Sequence, residues 1–425
     1  MSTDITEQLA GKVAQTKKLK IMKMHFSPHL TRLALTRTLI GLSLAVASTA
    51  AQAQSQLTVL AQGLNNPRGL DFAENGALYV AEAGLGAGDG NGGFAVGIGF
   101  SGSITEIRGV NSLLPVSRRI VTGLVSVGDT EGGFPEALGP SGLSAHRSGG
   151  IYVTIGESAL GEAVAHPNMP AAAQNQFGHL VKVTPSGQWK SVSDVGDFDY
   201  LWTGANQDQP WAPSGQFPDA NPYGVLAIAG RQFVADAGAN TVNEILADGS
   251  VRVIAFVPNP TLPLPNGALV PVSDSVPTCV AQGPDGYLYV GTLAYFANLA
   301  RFSSNAPPNW STLPPQSKIY RVNPNATEAF LTESDVWASG FNPIVACGFS
   351  GGALYVTEYV TQQSGYATGD VVRVQITSRG PGSRTTLGEN ALHQPNGLAF
   401  DSDGNAYVSN FSISSGGGQV VRVNF

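Results

Sequence analysis

Pro395–Val408, PNGLAFDSDGNAYV, reads as a short apolar strand, an Asp-Ser-Asp-Gly turn and a second strand ending on Tyr407-Val408. The chain writes this pattern six times. The other copies are PRGLDFAENGALYV from Pro67, PSGLSAHRSGGIYV from Pro140, PYGVLAIAGRQFV from Pro222, PTCVAQGPDGYLYV from Pro277 and PIVACGFSGGALYV from Pro343. From proline to the strand-ending aromatic is 12 residues in five copies and 11 in the third. Loose glycines scattered by chance would not hold that offset. A fixed repeat of strand pairs points to a solenoid or propeller architecture.

Each copy continues into a third strand that alternates apolar and polar residues, the period of a two-faced strand. Examples are Thr241–Ile245 and Gln419–Val423. A fourth strand follows, as at Val251–Phe256, except in the sixth unit, where the chain ends at Phe425. The missing strand is at the other end. Gln56–Leu64 reads like a fourth strand and its exit, and it resembles Arg119–Leu124. The first strand is therefore expected to complete the last sheet. Closure of this kind removes exposed sheet edges. The expected fold is all-β: a six-bladed β-propeller of four-stranded blades, closed by the N-terminal strand. A 24-strand sandwich or barrel would need neither the equal hairpins nor the split unit.

Composition agrees. Gly is 52 of 425 residues, about 12%, against a usual ~7%. Charged residues are 12%, about half of the usual ~25%. Arg32 and Arg37 precede an apolar run, Leu39–Ala47, and then Ala51-Gln52-Ala53. That is the form of a signal peptide with an A-x-A cleavage site. The run is too short to span a membrane. Residues 1–53 are expected to be an upstream extension plus signal peptide, and 54–425 a single domain, secreted or periplasmic, with no membrane span after cleavage. Removing 1–53 leaves 16 basic and 28 acidic residues, a net charge of −12. With no basic run, nucleic acid is excluded as a partner. An export address permits a disulfide. Cys279 and Cys347, however, stand two and four residues after their prolines, and this mismatch favours two buried free thiols.

The stretches PRGL…GALYVAEAG, NPYG…FVADAG, PTCVAQGPDGYLYVG and QPNGLAFDSDGNAYVSN resemble the secreted NHL-type propellers of the ScyD/ScyE family. The resemblance covers about 56–425. It implies export and six blades, and it brings no catalytic residue with it.

In a propeller the second-to-third and fourth-to-first connections emerge on one face. Here those connections are long, and insertions on one face mark the binding face. A small molecule or protein is the partner expected there. Glu82, Glu157, Asp236, Glu358 and Asn410 follow the second strands. Asn66, Asn221, Asn342 and Asn396 stand at the starts of first strands, at the same end. Such oxygens around a channel mouth suit a hard cation such as Ca²⁺, an arrangement similar to that of propeller lactonases. The alternative is that they cap turns and bond backbone. Trp202, Trp211, Tyr295 and Trp310 offer stacking faces for a flat ligand or sugar. His166 and His393 are the candidate bases. No nucleophile elbow or paired-histidine metal spacing is present. Two functions stay open: a binding or scaffold module, or a metal-dependent hydrolase or lyase.

Overall fold

The computed structural model describes residues 57–88, 93–130, 135–145, 150–209, 217–228, 230–263, 269–271, 274–294, 298, 314–364 and 366–424. Six four-stranded blades form a ring, a six-bladed β-propeller. The expected signal peptide falls outside the described residues. No helix among those described is long and apolar enough to cross a membrane.

Closure is as expected. Leu57–Leu64 pairs antiparallel with Gly418–Val423, so the last sheet runs from Leu398–Phe400 through Ala406–Asn410 and Gly418–Val423 to the N-terminal strand. Leu60 and Leu64 then pack with Leu70, Phe72, Val80, Tyr407 and Val420 between the sixth and first blades. The second strands Leu78–Glu82, Ile151–Ile155, Leu288–Thr292 and Ala406–Asn410 are buried at every residue. Each is covered by a neighbouring blade on both faces. Blade contact therefore supplies apolar burial that drives folding.

The first strands line the channel, and glycine lets them crowd together. A Cβ on Gly69 would lie 2.6 Å from the Leu143 nitrogen. On Gly224 it would lie 2.6 Å from the Thr278 oxygen, and on Gly397 2.5 Å from the Arg68 oxygen. On Gly142 it would fall onto the Tyr223 oxygen. In each case one blade's glycine, two residues after its proline, abuts the next blade's first strand.

Cys279 occupies that same position in the fourth blade, and there the expectation fails. Cys279 and Cys347 form a disulfide, with Cα atoms 5.7 Å apart. The two cysteines are closer in register than their prolines indicate. Pro222 and Pro277 pair with Asp236 and Thr292, but in the fifth blade Ile344, not Pro343, pairs with the equivalent Glu358. That proline sits one residue further out. Cys347 is thus equivalent to Val225, the position that faces the preceding blade's glycine. Where the glycine contact would fall between the fourth and fifth blades, the chain has a covalent bond.

The sequence did not reveal every element. Helices α1 (Ala159–Ala165), α2 (Ala171–Gln174) and α3 (Val195–Asn206) lie in the long connections of the binding face. Ser158 caps α1 by accepting the Gly161 N–H, and Asp194 caps α3 by accepting that of Asp197. Short extra strands, Glu136–Leu138 and Ala329–Phe330, widen the first and third blades.

Candidate functional site at the channel mouth

Most of the acidic ring serves the scaffold. Glu82, Asp236, Glu358 and Asn410 each stand three residues past a strand aromatic, and each accepts a backbone N–H where its own blade begins. The donors are Asn65 (2.7 Å), Asn221 (2.7 Å), Asn342 (2.8 Å) and His393 (2.7 Å). Glu82 also accepts Thr105 Oγ1 and is paired with Arg119 at 2.6 Å. Asp236 Oδ1 also takes the N–H groups of Gly238 and Ala239. Glu358 also accepts Asn342 Nδ2 at 2.8 Å. Asn66 Nδ2 donates to the Gly84 carbonyl, and Asn221 Oδ1 accepts the Glu157 N–H. These are the cap and backbone roles of the alternative reading. Arg119 and three backbone N–H groups thus already occupy Glu82 and Asp236 Oδ1. Among the described residues no three His, Cys, Asp or Glu groups gather to hold a metal.

Two of these carboxyls meet a second one. Asp236 Oδ2 and Asp199 Oδ1, both buried, find no N–H or O–H donor. Burial raises both pKa values, and for Asp199 its neighbour Asp236 adds to the rise. Asp199 comes from α3, which is tied to the third blade through Thr241 Oγ1 and Asn243 Nδ2. In the fifth blade Glu358 stands directly opposite Asp370. Burial and then Glu358 push the Asp370 carboxyl up to about 8.

Glu157 differs from the rest. It stands five residues past Tyr152, beyond the shared ring position, which in its blade is Ile155. Its φ of 67° lies in the left-handed region, which is uncommon for a side-chain-bearing residue. Its carboxyl has no hydrogen-bond partner among the described residues. Burial, then Glu162, Asp219, Asp236 and Asp129, push its pKa well up.

The other candidates are dispersed. His166 closes α1 and lies 3.4 Å from Glu162. His393 stacks on Phe411 at 4.9 Å, and burial lowers its pKa. Trp202, on α3, packs against Phe256. Trp211, Tyr295 and Trp310 lie outside the described residues.

The channel mouth itself is built by the residue after each proline. Arg68 from the first blade is 3% exposed. Its Nη2 donates to Glu136 Oε1 (2.7 Å) and to the Ala137 carbonyl (3.0 Å). Burial opposes its charge, yet Glu136, Tyr223 and Tyr359 hold its pKa above the ordinary value. Tyr223 from the third blade accepts Asn396 Nδ2 from the sixth at 2.6 Å, a bond between opposite sides of the ring. Burial pushes the Tyr223 phenol up, so it keeps its proton. Two hydroxyls position the pair. Ser409 bridges the Gly397 N–H and the Arg68 carbonyl, and Thr154 bridges the Gly142 N–H and the Tyr223 carbonyl. Below lies a narrow void of about 70 Å³, room for a few waters. Tyr223 and Asn396 therefore floor the mouth.

The sequence reading named Asn396 but missed Arg68 and Tyr223. Their signal was a position that changes from unit to unit, inside a repeat whose proline and glycine scarcely change.

Fold and mouth together define a six-bladed propeller with a floored channel. No protein-family model matches this chain, and no curated protein does. Among solved structures it is similar to virginiamycin B lyase from Staphylococcus aureus, at 13% identity and TM-score 0.39, over 87% of this chain and 99% of that one. It is similar to the PQQ-bound aldose sugar dehydrogenase of Streptomyces coelicolor, at 12% and 0.43, over 86% and 97%. It is also similar to the pyranose dehydrogenase PQQ domain of Coprinopsis cinerea, at 15% and 0.44, over 86% and 95%. At such identities no activity or residue role passes to this chain.

Proposed function

We propose that this chain is an exported propeller of the ScyD/ScyE kind that binds a small polar molecule at its upper mouth without transforming it. The observation that carries this is the convergence of Arg68, Tyr223 and Asn396, from three blades, on one floored opening. Glu82, Asp236, Glu358 and Asn410 are already committed to backbone, which leaves the mouth without a free carboxylate base from the ring. One observation favours the second reading, a hydrolase or lyase. Glu157, without a hydrogen-bond partner for its carboxyl among the described residues and with a raised pKa, has the character of a general acid, and a Ca²⁺ ion on this face would draw on Glu157 and the oxygens around it.

A thermal-shift panel of sugars, sugar acids and aromatic metabolites tests the proposal. A ligand that shifts the wild type should lose its effect in Tyr223→Phe/Asn396→Ala, and mass spectrometry should recover it unchanged. A shift that survives the double variant sinks the site. Recovery of a converted ligand moves the assignment to the enzyme reading.

A further inference from the structure

The polar groups at the floor are unusual in their sense. Arg68, Tyr223 and Asn396 come from the first, third and sixth blades, and every one of them presents N–H or O–H. Tyr359 of the fifth blade also lies close enough to act on Arg68. The other residues at the ring position after the proline are already spent: Ser141 donates to the Gly139 carbonyl and Thr278 to the Ile344 carbonyl. Among the described residues, the carboxylate paired with these donors is Glu136. Its side chain is 46% exposed, whereas that of Arg68 is 4% exposed. Glu136 opens a strand of only three residues, Glu136–Leu138, at the rim of the first blade.

A buried guanidinium on a fixed inner strand, answered by a half-exposed carboxylate on a marginal one, has the form of a site whose occupant can be exchanged. Arg68 spends one terminal nitrogen, Nη2, on both Glu136 and the Ala137 carbonyl, and its guanidinium also lies within hydrogen-bond reach of the Tyr223 hydroxyl. A planar guanidinium can hold a carboxylate through two parallel N–H bonds, which is more than Glu136 does.

We propose that the mouth is a carboxylate-binding site, in which a small organic acid takes the place of Glu136 on Arg68 and is capped by the Tyr223 hydroxyl and the Asn396 amide. This rests on the reading of the upper mouth as a binding face and names the chemical class of its ligand. Glu136 is then an internal competitor.

Acetate and acetamide have nearly the same shape and differ in charge, so they test the class directly. Both are titrated into the full chain at constant ionic strength, with inorganic phosphate as a third probe, following melting temperature and heat of binding. Acetate should bind, and acetamide and phosphate should bind more weakly. Glu136→Gln should tighten acetate by about tenfold, since the competitor is lost, and Tyr223→Phe should weaken it by a similar factor. A gain of affinity in Glu136→Gln is not something a purely structural ion pair would produce. Arg68→Met should abolish binding, and Tyr223→Phe carries the test where that variant fails to fold. Equal binding of acetate and acetamide overturns the carboxylate class but leaves the binding face standing. Phosphate binding more tightly than acetate overturns it in favour of a tetrahedral anion. Acetate binding that Glu136→Gln leaves unchanged, or no binding to either form, overturns the site.

Discussion

Asp370 shows how a single residue can carry a condition-dependent cost. Its carboxyl is 6% exposed, lies opposite Glu358 and is also near Glu389, with Arg384 acting on Glu358 from the next strand. Its pKa is pushed from 3.8 to about 8 in the folded state. A raised carboxyl binds a proton more tightly folded than unfolded. Its stabilising effect is therefore present below the unfolded pKa and is lost as pH rises through the folded one. The Asp199–Asp236 pair acts in the same direction. The protein should accordingly be less stable at pH 9 than at pH 5, by on the order of a few kcal/mol, and melt lower there. Asp370→Asn should reduce that difference in a calorimetric scan. A melting temperature that rises steadily over the same range would contradict the raised Asp370 carboxyl. Cys279 and Cys347 act at the same scale. Their bond closes a separation of 68 residues, and Cys279→Ser/Cys347→Ser should cost ~2–4 kcal/mol. Wild type and variant are compared by denaturant melts under non-reducing conditions, and coincident curves would rule the contribution out.

At the scale of elements, the N-terminal strand matters most. Leu57–Leu64 supplies one of the four strands of the sixth blade, and with it Leu60, Ala61 and Leu64 of the core between the sixth and first blades. Deleting 54–64 bares the edge at Gly418–Val423 and leaves a gap beside Phe72 and Tyr407. Each lost buried leucine alone accounts for ~2–5 kcal/mol. The truncated chain should therefore melt many degrees lower or aggregate, as light scattering during the melt would show. A truncation that melts with the full chain would mean that the last blade is complete without it. The long second and third strands of the fifth blade, Ala353–Ser364 and Tyr366–Thr377, and helices α1–α3 belong to this scale too. They decorate the upper face and leave the ring spacing unchanged.

At the scale of the whole molecule, the ring converts a sequence offset into a circle. That circle carries three carboxylates, Glu82, Asp236 and Glu358, and each is held by its own blade. Glu82 leans on Arg119, while Asp236 and Glu358 each rest on a second carboxyl and on backbone N–H groups. Glu157 lies outside that circle, and the proposed cation reading of this face rests on it. If it binds Ca²⁺, saturation at 100 times Kd stabilises the fold by about 2.7 kcal/mol. The gain should be reversed by a chelator and abolished by Glu157→Gln, both followed by thermal shift. Identical melts with Ca²⁺ and with chelator, together with metal-free purified protein by elemental analysis, would dismiss the cation and weaken the enzyme reading.

The blade count, the hairpin frame and the closure by Leu57–Leu64 were all legible in the sequence, because each is a local pattern repeated at a fixed period. Strand alternation, a turn and a proline mark every unit without reference to any other. The oxygen-bearing residues at the strand ends were legible as positions, but their partners were not. Whether Glu82 met a cation, a backbone N–H or Arg119 depends on a residue 37 positions away. The disulfide was hidden for a related reason. Pro343 is one residue out of register with the other prolines, and only strand pairing, not residue counting, aligns Cys347 with Cys279. Arg68, Tyr223 and Asn396 lie in separate units up to 328 positions apart, and nothing local to any one of them tells that they meet. The repeat determined the ring. The shear between neighbouring inner strands, set by glycine contacts across blades, decided which side chains share the mouth.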